Sequence, residues 1–199
     1  MSSERPEQTH QKDPEITVGQ LLLAEYETIK DEQKARIGFR DNLLYVTLAA
    51  VAAVIAAAAQ AKQSSMLLAL PPVCVVLGWT YLVNDEKISA IGAYVRGELG
   101  PRLAAATGKV DAPIFGWETA HRGDARRRSR KLIQCGVDLG AFCAVPLAAL
   151  VVYWVDGADS GALLLALSVA EGLAALGLAV QIVLYSGLVG GGGGGGRSE

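Results

Sequence analysis

Residues 66–83 read MLLALPPVCVVLGWTYLV, an apolar run without a single charged side chain. A helix must contain about 20 apolar residues to cross a hydrocarbon core about 30 Å thick. Three further stretches, 43–59, 132–155 and 162–189, are similar in length and composition. Soluble proteins seldom bury helices of that length. The sequence therefore predicts an all-α, polytopic membrane protein with four transmembrane helices.

The positions of Lys and Arg predict the orientation of these spans. Residues 1–42 contain six of the 18 Lys and Arg residues and residues 84–131 contain ten, whereas the two short links within the apolar pairs contain only Lys62. Because cytoplasmic loops accumulate Lys and Arg, both termini and the middle loop are expected in the cytoplasm. The prediction is a multi-pass protein of the inner (plasma) membrane with two transmembrane hairpins, 43–83 and 132–189.

Five cations lie within six positions just before the third span, in the sequence RRRSRK. We interpret this run as the topological stop for that span, in contact with the anionic headgroups of the lipid bilayer. Specific lipid binding and nucleic-acid binding are the alternatives, but no interleaved aromatic residues support nucleic acid, and no such partner is expected. The five cations are Arg126, Arg127, Arg128, Arg130 and Lys131.

The N-terminal segment is predicted to extend the first span into the cytoplasm. Residues 1–16 are polar and contain proline, which is typical of a disordered tail. A helix is predicted over 17–42, leading into the first span, because Thr17 and Gln20 match a capping box. The apolar stripe of this helix would pack on the other cytoplasmic helix, on a sister subunit or on a cytoplasmic protein partner.

The middle loop, 84–131, contains an amphipathic pattern that predicts a helix ending at Gly100–Pro101. This helix would lie along the membrane surface or against the first helix. Phe115 and Trp117, further along the loop, are expected to dip into the membrane interface. Residues 190–199 begin with a run of glycines, so they are predicted to form a flexible tail.

Polar groups inside a bilayer are costly, so those within the spans are functional candidates. Asp138 lies about 9 Å inside the third span, and Gln181 lies near the same end of the fourth, so we expect a hydrogen-bonded clasp between them. Glu171 lies about 14 Å inside the fourth span, close to the midplane. With no Lys or Arg in any span, Glu171 is expected to be a neutral structural acid or a carboxylate that lines a cation or proton path.

Small residues at four-residue spacing form ridges on two spans, and such ridges let helices approach closely. We expect them to support packing between spans and within a homo-oligomer. Pro71, Pro72 and Pro146 would kink or locally open their helices. The ridges consist of Ala49, Ala53 and Ala57 on the first span and of Ala162, Ala166, Ala170 and Ala174 on the fourth.

Motifs of soluble enzymes, such as the P-loop and the HExxH zinc motif, are missing from the sequence. The two histidines lie in polar segments, and the three cysteines lack CxxC spacing, which argues against a metal site. We interpret Cys74, Cys135 and Cys143 as packing residues. The prediction is that the protein is not an enzyme and has no catalytic residues, metal or cofactor.

Three blocks, RIGFRDNLLYVTLAAV at 36–51, PPVCVVLGWTYLVNDEKISAIGAYVR at 71–96 and FGWETAHRGDARRRSRKL at 115–132, resemble small uncharacterised integral membrane proteins of actinobacteria. The resemblance covers residues 18–155. It implies a bacterial four-span membrane protein and carries over no catalytic or binding residues. The architecture alone is also similar to that of membrane effectors in bacterial conflict systems, which is an analogy between folds.

Three functions are compatible with these features. The first is an oligomeric membrane effector or pore that is controlled through its cytoplasmic helices, since four helices cannot enclose a wide channel alone. The second is a non-conducting membrane anchor or adaptor that recruits a cytoplasmic partner. The third is a small transporter, which the lack of two similar halves with broken helices disfavours.

Overall fold

The computed structural model of the protein describes residues 17–108, 127–156 and 161–186, with side chains from Ser129 onwards in the second range. Helices dominate these residues, and no strand occurs among them. Several predictions fall outside the described residues, namely those for the tail 1–16, Phe115, Trp117, Arg126 and the tail 190–199.

The described residues form six α-helices, which short 3₁₀ or π segments join in places. In chain order the segments are α1 (Val18–Ala61), a 3₁₀ helix (Ser64–Ala69), α2 (Leu70–Tyr94), a π segment (Val95–Leu99), α3 (Gly100–Ala106), α4 (Arg127–Leu139), a second π segment (Gly140–Ala144), α5 (Val145–Val155) and α6 (Ala162–Tyr185).

Four continuous helical stretches result, and each is long and apolar enough to cross a membrane. They run Val18–Ala61, Ser64–Ala106, Ser129–Val155 and Ala162–Tyr185. The predictions of an all-α fold and of four membrane-length apolar helices are therefore confirmed. Such helices are compatible with an integral membrane protein.

Helix α1 has a well-defined start and end. The Thr17 hydroxyl accepts a hydrogen bond from the Gln20 amide at 3.3 Å, and the Gln20 side chain accepts one from the Thr17 amide at 2.9 Å. This is the predicted capping box. The helix then runs for 44 residues and ends where Lys62 adopts a left-handed conformation with φ 54°. One helix thus joins the polar N-terminal segment to the first apolar stretch.

The prolines are accommodated by local changes of helix type. Pro71 and Pro72 lie in the first turn of α2, directly after the 3₁₀ helix, and Pro146 is the second residue of α5, directly after a π segment. The predicted helix end at Gly100–Pro101 is wrong, because the chain continues as α3. The Gly100 amide bonds to the carbonyl of Val95, five residues back, and this π turn shifts the hydrogen-bond register just before the proline.

Helices α1 and α2 lie side by side and run in opposite directions. The Tyr94 hydroxyl donates a hydrogen bond to Glu25 at 2.5 Å, and the Gln33 amide donates one to the Ile88 carbonyl at 3.2 Å. Earlier residues of α1 thus contact later residues of α2, as in an antiparallel pair. The apolar stripe of α1 packs here within the chain, against a cluster that combines Leu22 with Val95, Leu99 and Leu103. We call the paired segments 17–42 and 84–106 the arm.

The main core lies where α2, the second π segment and α6 meet. Phe142, which is fully buried, stacks at a tilt against Tyr81, with ring centroids 5.1 Å apart. Gly78 makes this approach possible, because a Cβ atom there would lie 2.7 Å from Leu178 Cδ2 and 2.9 Å from Phe142 Cβ. The remaining buried members of this core are Leu43, Leu82, Cys135, Ala141, Cys143 and Ile182.

Candidate functional site

A polar junction forms where the arm meets the apolar stretches. Arg40 of α1 donates to Asp85 of α2 with its Nη1 atom 2.7 Å from Oδ1. Its guanidinium group also lies 6.0 Å from the ring centroid of Tyr81, within the range of a cation–π contact. The Arg40 and Asp85 side chains are 25% and 46% exposed, so the ion pair is half-buried. This pair connects α1 with α2 at the edge of the first apolar stretch.

The junction continues from α2 to α4 through a side-chain amide. Gln134 Nε2 lies 2.6 Å from the Tyr81 hydroxyl oxygen and 2.9 Å from Asp138 Oδ1. The Tyr81 hydroxyl also interacts with the Asp138 carboxylate. Tyr81 and Asp138 are 4% and 8% exposed, respectively. Arg40, Asp85, Tyr81, Gln134 and Asp138, which we call the junction residues, thus form a chain of contacts across three helices.

Asp138 accepts a hydrogen bond from Gln134 and lies beside Tyr81, whereas Gln181, the partner expected from the sequence, is not bonded to it. Gln181 is half-buried on α6 and makes no hydrogen bond with any described residue. Gln134 precedes Asp138 by four residues on the same helix, a spacing that places side chains together and could have revealed the pair. Nothing in the sequence indicates Tyr81 as a partner.

The junction borders a cleft of about 130 Å³ between α2, α4 and α6. Lys131 is the first residue of α4 that lines the cleft, and its Nζ atom donates a hydrogen bond to the Ser186 carbonyl at 3.3 Å. The lining of the cleft therefore combines carboxylate, hydroxyl, amide and ammonium groups with apolar side chains. Its lining residues are Tyr81, Leu82, Asp85, Ser89, Lys131, Gln134, Cys135, Asp138, Ile182, Tyr185 and Ser186.

Glu171 lies away from this junction. It is 9% exposed on α6, and its Oε2 atom has no hydrogen-bond partner among the described residues. It precedes Ile182 of the cleft by 11 residues, which corresponds to about 16 Å along a helix. The two acids of the apolar stretches are therefore separate, as their depths predict.

The surroundings of Glu171 are close-packed. A Cβ atom added at the next residue, Gly172, would lie 3.6 Å from Leu150 Cδ1 of α5. One turn earlier, Ser168 accepts a hydrogen bond from the Trp154 indole at 3.0 Å and donates to the Leu165 carbonyl. These contacts hold α5 and α6 together around Glu171, but they provide no hydrogen bond to its Oε2 atom.

Most of the predicted small-residue ridges lie on the outside of the described chain. On α6, all four alanines of the ridge are exposed, and on α1 two of the three are exposed while the third is partly buried. These faces are free to meet lipid or another copy of the chain. The exposed residues are Ala162, Ala166, Ala170 and Ala174 on α6 and Ala49 and Ala53 on α1, with Ala57 partly buried.

The predicted cationic run is only partly described. Arg127 and Arg128 lie at the start of α4, Arg130 is exposed, and Lys131 borders the cleft. Among the residues with described side chains, no group of three or more His, Cys, Asp or Glu could hold a metal ion. Cys74, Cys135 and Cys143 are all free and buried.

Comparison of the chain with protein-family models, with curated proteins and with solved structures gives no match in any of the three. The resemblance to actinobacterial membrane proteins therefore stays a prediction. The class that the geometry defines is a helical protein with four membrane-length apolar helices and a polar junction beside a cleft.

The Arg40–Asp85 ion pair allows a quantitative test of the junction. We expect Arg40→Gln and Asp85→Asn each to lower stability, with the double variant less destabilised than the sum of the two. The coupling free energy should be about 0.5–1 kcal/mol, because the pair is half-exposed and solvent screens it. Unfolding of the four proteins in detergent, followed by circular dichroism, measures this energy. Strictly additive effects would show that the contact contributes nothing.

Proposed function

We propose that the protein is a multi-pass protein of the plasma membrane, with both termini in the cytoplasm and its spans in two hairpins. We propose further that it acts as an oligomeric membrane effector or pore controlled through its cytoplasmic helices, the arm. The four membrane-length helices support the first statement, together with the excess of Lys and Arg on one side. No catalytic residue, metal or cofactor enters this proposal.

The junction is the single observation that supports control through the arm. Helix α1 and the stretch Ser64–Ala106 continue without interruption from the apolar stretches into the arm. A force on the arm would therefore reach Arg40 and Tyr81 along rigid helices, and Gln134 would pass it on to α4. Contiguous contacts of this kind can transmit coupling between distant sites.

An oligomer is needed because one bundle of four helices does not enclose a wide pore. The exposed alanine ridges of α1 and α6 support this step, since small residues allow close approach of helices in lipid. The chain would then contribute one sector of a larger assembly. Bacterial origin, implied by the resemblance of the sequence, is part of the same proposal.

Ion flux through liposomes that contain the purified protein tests the proposal. We expect the wild type to conduct and Gln134→Leu to reduce the flux about tenfold, because this change removes the amide that joins Tyr81 to Asp138. Gln181→Leu is the matched control, since that amide makes no hydrogen bond with any described residue. Equal flux in both variants would contradict coupling through the junction.

A non-conducting adaptor is the second candidate. The observation that favours it is a group of exposed apolar side chains at the start of α1, where Val18, Leu21 and Leu23 are each more than half exposed. The adaptor predicts that the wild type carries no ion flux at any voltage. It also predicts that the wild type captures a cytoplasmic protein and that a double variant, Val18→Ser with Leu21→Ser, does not. Flux without any such capture would exclude it.

A further inference from the structure

Asp138 is a buried carboxylate that forms no ion pair with any described side chain. It is 8% exposed, and it accepts a hydrogen bond from the neutral amide of Gln134 beside the neutral hydroxyl of Tyr81. No Lys or Arg with a described side chain lies within ion-pair distance of it. An ionised carboxylate at such a place is costly unless a positive charge compensates it. With Asp138 ionised, the five junction residues carry one net negative charge.

The cations nearest to Asp138 are engaged elsewhere. Arg40 is held by Asp85 at 2.7 Å and by Asp41 at 3.1 Å. Lys131 donates to the Ser186 carbonyl at 3.3 Å and precedes Asp138 by seven residues, about 10 Å along the helix. Arg40 acts on Asp138 only from a distance, and neither side chain forms an ion pair with it, which leaves the carboxylate open to a further cation.

The cleft gives access to this carboxylate. Its volume of about 130 Å³ corresponds to roughly four water molecules at their liquid density. Asp138 and Tyr81 line it, and so does Gln134, whose amide oxygen accepts no hydrogen bond from the described residues. Carboxylate, hydroxyl and amide oxygens are the ligands that hard cations prefer.

We propose that this cleft is a binding site for one small monovalent cation, held by the Asp138 carboxylate with the oxygen atoms of Tyr81 and Gln134. One carboxylate without an ion pair among the described residues matches a single positive charge. The volume admits an alkali ion with part of its hydration shell, or a primary ammonium ion. The inference does not rest on the proposed function, because a site that binds a cation need not conduct it.

Thermal unfolding of the full-length protein in detergent, titrated with NaCl, KCl or methylammonium chloride, tests the site. Choline chloride keeps the ionic strength constant, and four alkyl groups shield its charge from direct contact with the oxygen atoms of the cleft and leave it no N–H donor. We expect at least one small cation to raise the unfolding temperature with saturation. Equal unfolding temperatures in all four salts would overturn the proposal without any variant.

The variants assign the effect to Asp138. In Asp138→Asn, the dissociation constant of the stabilising cation should rise about tenfold or more, because the charged ligand is lost. Tyr81→Phe should weaken binding less while it leaves the carboxylate in place. Asp156→Asn is the control, since Asp156 is an exposed acid at the end of α5, outside the cleft. Unchanged affinity in Asp138→Asn, or equal loss in Asp156→Asn, would overturn the assignment.

Discussion

Replacement of Gly78 by alanine is expected to destabilise the fold by about 1–3 kcal/mol, the usual cost of an added methyl group in a well-packed core. The new Cβ atom would lie 2.7 Å from Leu178 Cδ2 and 2.9 Å from both Cβ and Cγ of Phe142. The Leu178 side chain could shift, but Phe142 is fully buried and its Cβ atom is fixed to the backbone. Helix α2 must therefore move away from the second π segment, which loosens the main core.

Two glycines offer matched controls for this substitution. Gly136 of α4 and Gly177 of α6 are helical too, and apart from the backbone of their own helix no described atom lies within 4 Å of the Cβ position at either. Alanine there should be neutral or stabilising by up to about 1 kcal/mol, because it favours the helix more than glycine does. Denaturant unfolding in one detergent, followed by circular dichroism, compares the three variants. Similar stability in all three would show that the close approach at Gly78 is not rigid.

The helices of this fold could be predicted from the sequence because the signals are local. An apolar run such as 66–83 is long enough to cross a bilayer whatever it packs against. The start of α1 is equally local, since Thr17 and Gln20 satisfy each other across one turn. Length, composition and a cap need no knowledge of the tertiary structure.

The helix end at Pro101 could not be predicted correctly, because tertiary packing overrides the local rule. A proline removes one amide donor, which usually ends a helix. Here the preceding π turn shifts the register, and the buried side chains of Val95, Leu99 and Leu103 hold both sides of the proline against α1. The sequence contains the proline but not the neighbour that makes continuation favourable.

Single polar residues in apolar stretches are visible in the sequence, whereas their grouping depends on how three helices align. Asp138 stands out in the sequence as a charge in an apolar stretch. Arg40 and Tyr81, however, reach the junction only because α1 and α2 pair in one particular register. Gly78, beside Phe142, was not singled out either, since a close approach is a property of two helices. Contacts across helices are therefore what sequence reasoning lacks here.

Replacement of Glu171 by leucine is expected to stabilise the isolated chain by about 1–3 kcal/mol, which is the cost of a buried polar group left without a partner. Glu171 is 9% exposed, and its Oε2 atom has no hydrogen-bond partner among the described residues. Leucine has a similar volume and no polar atom, so the packing around Gly172 and Leu150 would be retained. Thermal and denaturant unfolding in detergent, where the chain is diluted to the monomer, measure this gain.

Glu171→Gln is the control, since an amide at this position would also lack a partner and should gain little stability. A loss of stability in Glu171→Leu would contradict the prediction and would show that the carboxyl group has a partner in the folded protein. The same two variants in liposomes separate the interpretations that the sequence leaves open. A structural acid predicts normal flux in both variants, because only packing is changed. A carboxylate that lines a cation path predicts loss of flux already in Glu171→Gln, where shape is kept and only the charge is removed.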